Sequence, residues 1–224
     1  MEKNVAIMMA DLSGYTALTE THGSVSAADL IEKYIHIAES CLVGDSKLHQ
    51  RAGDEIMFVS DSPDALLATA LELEAKTAGE EYFLQVHGGL HYGKLLKRSD
   101  NYFGSALNLA SRITAQAEAG TFWCSDEFVH SITDRSVCSF KSKGNFVFKN
   151  IEGEIEVFEL SIEKTRNKYV DPVCRMVILD TQKAIPHSHD DELYFCSSEC
   201  LQIYNRKHQS IAAVLNHTGV QYFS

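Results

Sequence analysis

The stretch VAIMMA, residues 5–10, is apolar at every position, and an aspartate, Asp11, follows it at once. A strand with no polar face must lie inside a sheet that is covered on both sides. This constrains the chain more than any other feature. It demands neighbouring strands on either flank and helices or loops over both faces. It also raises a problem, because a carboxylate at the end of a buried strand is costly unless it is paired or holds a metal.

The residues that follow supply the neighbours. Leu30, Ile31, Tyr34, Ile37, Ala38 and Cys41 recur at helical spacing and predict a helix over residues 26–42. KLHQRAGDEIMFVSD reads as two short strands joined by a turn at residues 52–54. Ser62 and Pro63 have the chemistry of a helix cap and first turn, and Gly79 that of a stop. Residues 82–90 read as a strand and residues 94–97 as a further short one. The order strand, helix, strand, strand, helix, strand is the ferredoxin-like βαββαβ arrangement. A third helix is expected from about Gly104 to Ala119, closed by Gly120. Short strands with one short helix between them follow around Phe122, Cys138, Phe146 and Val157. The expected class is therefore α+β: a ferredoxin-like core with extra C-terminal strands, then a small cysteine-containing unit. The polar, aperiodic SIEKTRNK marks the join. The division expected is 1–162, a linker over 163–168, and a second unit over 169–224.

Composition narrows the partners. A net charge of −11 argues against nucleic acid, whose phosphates demand a basic surface. No apolar run approaches the length of a membrane span. MEKNV leads straight into a strand pattern, so a cytoplasmic chain without a targeting segment is the expectation. Of the six cysteines, Cys174, Cys196 and Cys200 crowd the tail. In a reducing compartment such a cluster suggests metal before disulfide.

Asp54 lies at the turn of the strand pair, which the fold brings beside the end of the first strand. Two carboxylates there, Asp11 and Asp54, would suit Mg²⁺ or Mn²⁺, ions that prefer oxygen ligands. Each aspartate alone reads more readily as a turn former or helix cap than as a ligand. Asn108 and Arg112 are four apart and share one helical face, beside an expected packed stripe of Leu107, Ala110, Thr114 and Ala117. An Arg beside an Asn can stabilise charge on a transferring phosphorus centre.

ADLSGYT, QRAGDEIMF, GLHYGKLL and NYFGSALNLASRI, in this order and spacing, resemble the class III nucleotide cyclase domain over roughly residues 4–160. The resemblance implies formation of a 3′,5′-cyclic nucleotide and pyrophosphate from a nucleoside triphosphate, with two divalent ions per site. Matched by position, Asp11 and Asp54 are the metal-binding aspartates, and Leu12 supplies a carbonyl to a metal. Gly14, Tyr15 and Thr16 form the turn near the phosphates. Asn108 and Arg112 are the transition-state pair, and Lys149 is the triphosphate lysine. Gln50 and Asn101 stand where adenylyl cyclases have a base-reading lysine and aspartate. Both are amides that can present either a donor or an acceptor. The guanylyl cyclase Glu and Cys pair is absent as well, and adenylate rather than guanylate is the expected product class. The family builds each site from two protomers, so a single set of motifs implies a homodimer with composite sites.

YVDPVCRM and YFCSSEC carry the second constellation. Cys196 and Cys200 are expected at the start of a helix with both sulfurs on one face, and Cys174 on a turn closes a thiolate site. Thiolates suit Zn²⁺ or another soft ion, and Asp171, His187 and His189 are open as a fourth ligand. These motifs resemble the YHS domain, with Arg175 where a glycine is usual. The combined expectation is a cyclase bearing a metal-binding module. Its rival is a non-catalytic regulatory protein that keeps the cyclase fold.

Overall fold

A computed structural model describes residues 2–161 and 169–218. The expected linker over 163–168 lies outside the described residues. The first strand, β1 (Glu2–Ser13), is central. Val5, Ala6, Ile7, Met8 and Ala10 have no accessible surface. It pairs antiparallel with β3 (Glu55–Ser60) on one side and β4 (Gln85–Arg98) on the other. β2 (Lys47–Ala52) flanks β3, so β2-β3-β1-β4 is the ferredoxin-like order. β6 (Phe122–Ser125), β8 (Ile155–Ser161) and β7 (Ser139–Phe146) extend the sheet beyond β4. β5 (Asn101–Phe103) folds back on the end of β4.

Alternation along β1 divides the core, since successive side chains point to opposite faces. Ala6, Met8, Ala10 and Leu12 pack with α1 (Tyr15–Ser40) and α2 (Pro63–Ala78). Val5, Ile7 and Met9 face the other way and pack with Ala106 and Ala110 of α3 (Ser105–Gln116). Asp11 belongs to this second face, beyond Met9. The short helix α4 (Asp126–Ser131) follows β6.

Local chemistry explains several boundaries. The Ser62 side chain accepts from the Ala65 amide at 3.2 Å, and Pro63 opens α2, as the sequence indicates. α1 begins at Tyr15, well before the expected residue 26. Gly23, at φ 81° and ψ 171°, breaks the helix into two segments, and the polar first segment has no clear apolar period. β4 is one continuous strand where two were expected, because it pairs with β1 from Gln85 to Leu96. α3 is shorter than read, and its buried stripe is Ala106, Leu109, Ala110, Ile113 and Thr114, leaving Leu107 only partly covered.

The tail forms two small ribbons, β9 (Tyr169–Val170) with β10 (Val177–Ile178) and β11 (Ile185–His187) with β12 (Asp190–Phe195), followed by α5 (Ser198–Thr218). Cys174, Phe195 and Cys200 are its fully buried centre. The tail docks by backbone hydrogen bonds on the segment before β4. Tyr82 donates to the Val177 carbonyl at 2.9 Å, and Val177 donates to Phe83 at 2.7 Å. The Leu179 amide donates to the half-buried Glu81 carboxylate at 3.0 Å. Among the described residues, no helix is long and apolar enough to cross a membrane.

Candidate active site and cysteine cluster

The register places the two aspartates together. Ala10 pairs with Ile56, so the next residue, Asp11, stands opposite Glu55 at the mouth of the β2–β3 turn that carries Asp54. Burial pushes the Asp11 carboxyl above the usual carboxylate range. It does the same to Asp54, where the Asp11 charge adds to the effect, and to Glu55, where the Asp54 charge adds. Asp54 and Asp11 lie close enough for each carboxyl to feel the other. Two half-buried carboxylates in this relation repel when both ionise, and a cation between them removes the conflict. The donor set is all oxygen and fits Mg²⁺ or Mn²⁺. His87, which the sequence reading did not single out, approaches Asp11 at 3.9 Å, and Ser13 bonds its Nδ1 at 2.8 Å. Burial lowers its pKa and favours neutral imidazole.

Leu12 buries its side chain and keeps its backbone at the strand end beside Asp11. Gly14 follows at φ 94° and is the N-cap of α1. It has no side chain to cap the helix, and no acid lies in the first turn, so the amides around Tyr15 and Thr16 stay open to an anion. The turn is also crowded. A Cβ on Gly14 would lie 2.5 Å from Cβ and 2.6 Å from Cγ of Arg175 in the tail. Arg175 takes φ 69°, the left-handed conformation that a glycine would adopt more easily. The substitution noted in the sequence has therefore kept the turn and placed a side-chain stem against Gly14.

Asn108 and Arg112 are both exposed on α3. Among the described residues, no side-chain hydrogen bond or ion pair ties either one to Asp11 or Asp54. Gln50 and Asn101 are exposed on β2 and β5. Their neighbours His49 and Tyr102 meet edge-on with centroids 4.8 Å apart, a side-chain contact between those two strands. Lys149 is exposed, and the loop just after it, 150–152, lines a cleft of about 380 Å³ with Lys94, Ser105 and His91. The carboxylates lie at the end of the central strand, and the Asn/Arg pair lies on the exposed side of α3.

The three tail cysteines converge. Sγ of Cys196 lies 3.4 Å from that of Cys174 and 3.7 Å from that of Cys200. Cys196 precedes α5 and does not share its helix with Cys200, in contrast to the expected placement. None of the open fourth positions joins the cluster. Asp171 is fully buried and its carboxylate accepts the amides of Val173, Cys174 and Cys196, so it ties the two cysteine loops together. His187 and His189 meet edge-on, with ring centroids 6.0 Å apart. The fourth side chain is His22 of α1, whose Nε2 lies 3.7 Å from Cys196 and 3.6 Å from Cys200. It is 174 residues from Cys196, and no local spacing could have pointed to it. The thiols share protons unequally. Hydrogen bonds from Cys174 and Cys196 push Cys200 far down, while the same contacts push Cys196 up.

Comparison with known proteins agrees with the larger unit. An adenylate cyclase from Glutamicibacter nicotianae is 35% identical over 117 residues, covering 52% of this chain and 29% of that protein. A Silicibacter pomeroyi structure described as an adenylate/guanylate cyclase/hydrolase superposes with a TM-score of 0.59 at 25% identity, over 73% of this chain and 99% of its own. The adenylyl cyclase CyaB from P. aeruginosa superposes at 0.63 with 18% identity, over 73% and 96%. No family model matches the chain. The chain spans less than half the length of the curated relatives it matches. The large sheet and its helices have the fold of an adenylyl or guanylyl cyclase catalytic domain, and a cysteine-bearing tail packs against it.

Proposed function

We propose that this chain is a nucleotidyl cyclase that converts ATP, and less readily GTP, to the 3′,5′-cyclic nucleotide and pyrophosphate, with a YHS-like metal-binding module from Tyr169 onward. The observation that carries the reading is the half-buried carboxyl pair of Asp11 and Asp54, which the β1–β3 register brings together at the end of the central strand. Such a pair costs stability when ionised, and a fold that served only as a scaffold would have no use for it.

In the reaction the ribose 3′-oxygen bonds to the α-phosphorus, the bond from that phosphorus to the bridging oxygen breaks, and the hydroxyl proton is lost. Asp11, Asp54 and the Leu12 carbonyl would hold two Mg²⁺ or Mn²⁺ ions, which supply charge neutralisation and activation of the attacking oxygen. The open first turn of α1, at Gly14, Tyr15 and Thr16, receives phosphate oxygens. Asn108 orients the ribose, and Arg112 meets the charge developing on the transferring group. Lys149 neutralises the leaving pyrophosphate. Gln50 and Asn101 read the base with neutral hydrogen bonds, each worth only about 0.5–1.5 kcal/mol net, so selectivity is modest.

The resemblance to a family that builds each site from two protomers supports a homodimer with composite sites. Each site takes its carboxylates from one protomer and its Asn/Arg pair from the other. In cyclase assays with saturating Mn²⁺, Asp11→Ala and Asp54→Ala are each expected to abolish activity while the protein stays folded and dimeric. Activity comparable to wild type in either variant overturns the assignment.

A further inference from the structure

We propose that His22, Cys174, Cys196 and Cys200 form a closed four-ligand site for one zinc-class ion, and that this ion clasps the tail onto the first segment of α1. The inference concerns the ligand that the larger unit donates, and it does not depend on the cyclase reading.

Geometry carries it. A tetrahedral zinc centre has Zn–S near 2.3 Å and Zn–N near 2.0–2.1 Å, which puts ligand sulfurs about 3.8 Å apart and a sulfur and a nitrogen about 3.6 Å apart. The observed separations are 3.4 and 3.7 Å between sulfurs, and 3.6 and 3.7 Å from sulfur to Nε2. All four ligand atoms lie within 4.8 Å of one another. Four of the six edges thus match a tetrahedral centre, and the two from Cys174 to Cys200 and to His22 stay within 4.8 Å.

The surroundings are those of a prepared site. Asp171 fixes both cysteine loops through three amides, so the sulfurs are held before an ion arrives. The non-helical Gly23 ends the first segment of α1 immediately after His22. The segment can then turn its last side chain toward the tail without carrying the rest of α1 with it. All three cysteines bind as thiolates, and the protons that Cys174 and Cys196 carry pass to solvent. A divalent ion with three thiolates and neutral imidazole has a net charge of −1. Four protein ligands leave no open position, which marks a structural centre and not a hydrolytic one. Thiolate-rich sites exclude Mg²⁺ and Mn²⁺, so the two metal classes stay apart.

The consequence is mechanical. Arg175 follows the ligand Cys174 and lies against Gly14, at the start of the segment that ends in the ligand His22. The ion therefore closes a loop through Cys174, Arg175, Gly14 and His22. Loading the centre fixes the turn at residues 14–16.

The test uses the full chain, stripped of metal by a chelator under reducing conditions and titrated with Co²⁺. The expected result is one ion per chain, with the intense visible bands of tetrahedral cobalt and sulfur-to-cobalt charge transfer. His22→Ala is expected to weaken binding at least tenfold, since even outer-shell changes cost about 10–100-fold. His22→Cys is expected to restore tight tetrahedral binding, and His187→Ala to leave it unchanged. Hydrogen exchange provides the second reading. Zn²⁺ is expected to slow exchange at residues 14–22 in wild type and in His22→Cys, and not in His22→Ala. No uptake with all thiols free, or an unchanged cobalt spectrum and affinity in His22→Ala, overturns the proposal. So does a His22→Cys chain that folds and binds no more tightly than His22→Ala.

Discussion

Replacing Gly14 by alanine is expected to destabilise the protein in two separable ways. Gly14 sits at φ 94° and ψ 13°, where a residue with a Cβ is strained by roughly 1–2 kcal/mol. Its new Cβ would also lie 2.5 Å from Cβ of Arg175, whereas carbon atoms rest about 3.5–4.0 Å apart. Rotating the Arg175 side chain gives no relief, because Cβ is fixed by the backbone. Either the tail or the turn must move, and such overpacking costs about 1–3 kcal/mol. The total is about 2–5 kcal/mol. Arg175→Gly removes the clashing atoms and leaves the backbone cost, so Gly14→Ala in that background should cost only about 1–2 kcal/mol. The assay is urea unfolding of the four chains of the cycle with Zn²⁺ present, and the coupling energy is the answer. Gly23→Ala is the comparator, since Gly23 has positive φ, 81°, but a methyl group there would meet nothing within 4 Å. It should show a backbone cost with no clash and no coupling to Arg175, and a different cost from that at Gly14 because its ψ is 171°. If the Gly14 and Arg175 changes add to within about 0.5 kcal/mol, the tail does not rest on the turn, and the clasp argument fails with it.

Other outcomes follow from the site. Asp54→Asn should raise the stability of the metal-free protein while removing Mn²⁺-dependent activity, because it ends the conflict with Asp11; a variant less stable than wild type in chelator would contradict the paired-carboxyl argument. Asp11, Asp54 and Glu55 have folded pKa values above their unfolded ones. Their contribution to stability is therefore greatest at low pH and is lost as pH rises through the folded values. Stabilisation by added Mn²⁺, read from thermal melts, should grow across that same window, and a pH-independent gain would contradict it. Mixing Asp54→Ala with Arg112→Ala protomers should restore one intact site per heterodimer, and mixed dimers that form yet stay inactive would exclude shared sites. Gln50→Lys with Asn101→Asp should sharpen preference for ATP, and steady-state rates with both nucleotides would show it.

Much of the larger unit is legible in the sequence, for identifiable reasons. The unbroken apolar run of β1 could only be central. The Ser62 cap, Pro63 and Gly79 mark α2 to within a residue. The i,i+4 spacing of Asn108 and Arg112 survives intact, because spacing along a helix is a local property. The start of α1 was hidden because its first segment is polar and broken from the rest by Gly23. The continuity of β4 came from pairing with β1, a non-local interaction that no window of sequence displays. The carboxyl pair was readable once βαββαβ was recognised, since that order alone brings the strand end to the hairpin turn. His87 was not, because its role depends on a cross-strand register with Asp11. Nor was His22: the tail cysteines advertise a soft site, but their fourth partner lies on a helix at the other end of the chain.

The central claim is that this chain closes a nucleoside triphosphate into a cyclic nucleotide. The most direct measurement is product analysis of the purified full chain with Mn²⁺ and either ATP or GTP, following cyclic nucleotide and pyrophosphate together. The account expects equal amounts of the two products, with ATP modestly preferred and both products lost on chelation. A folded, dimeric protein that forms no cyclic product from either nucleotide would contradict it.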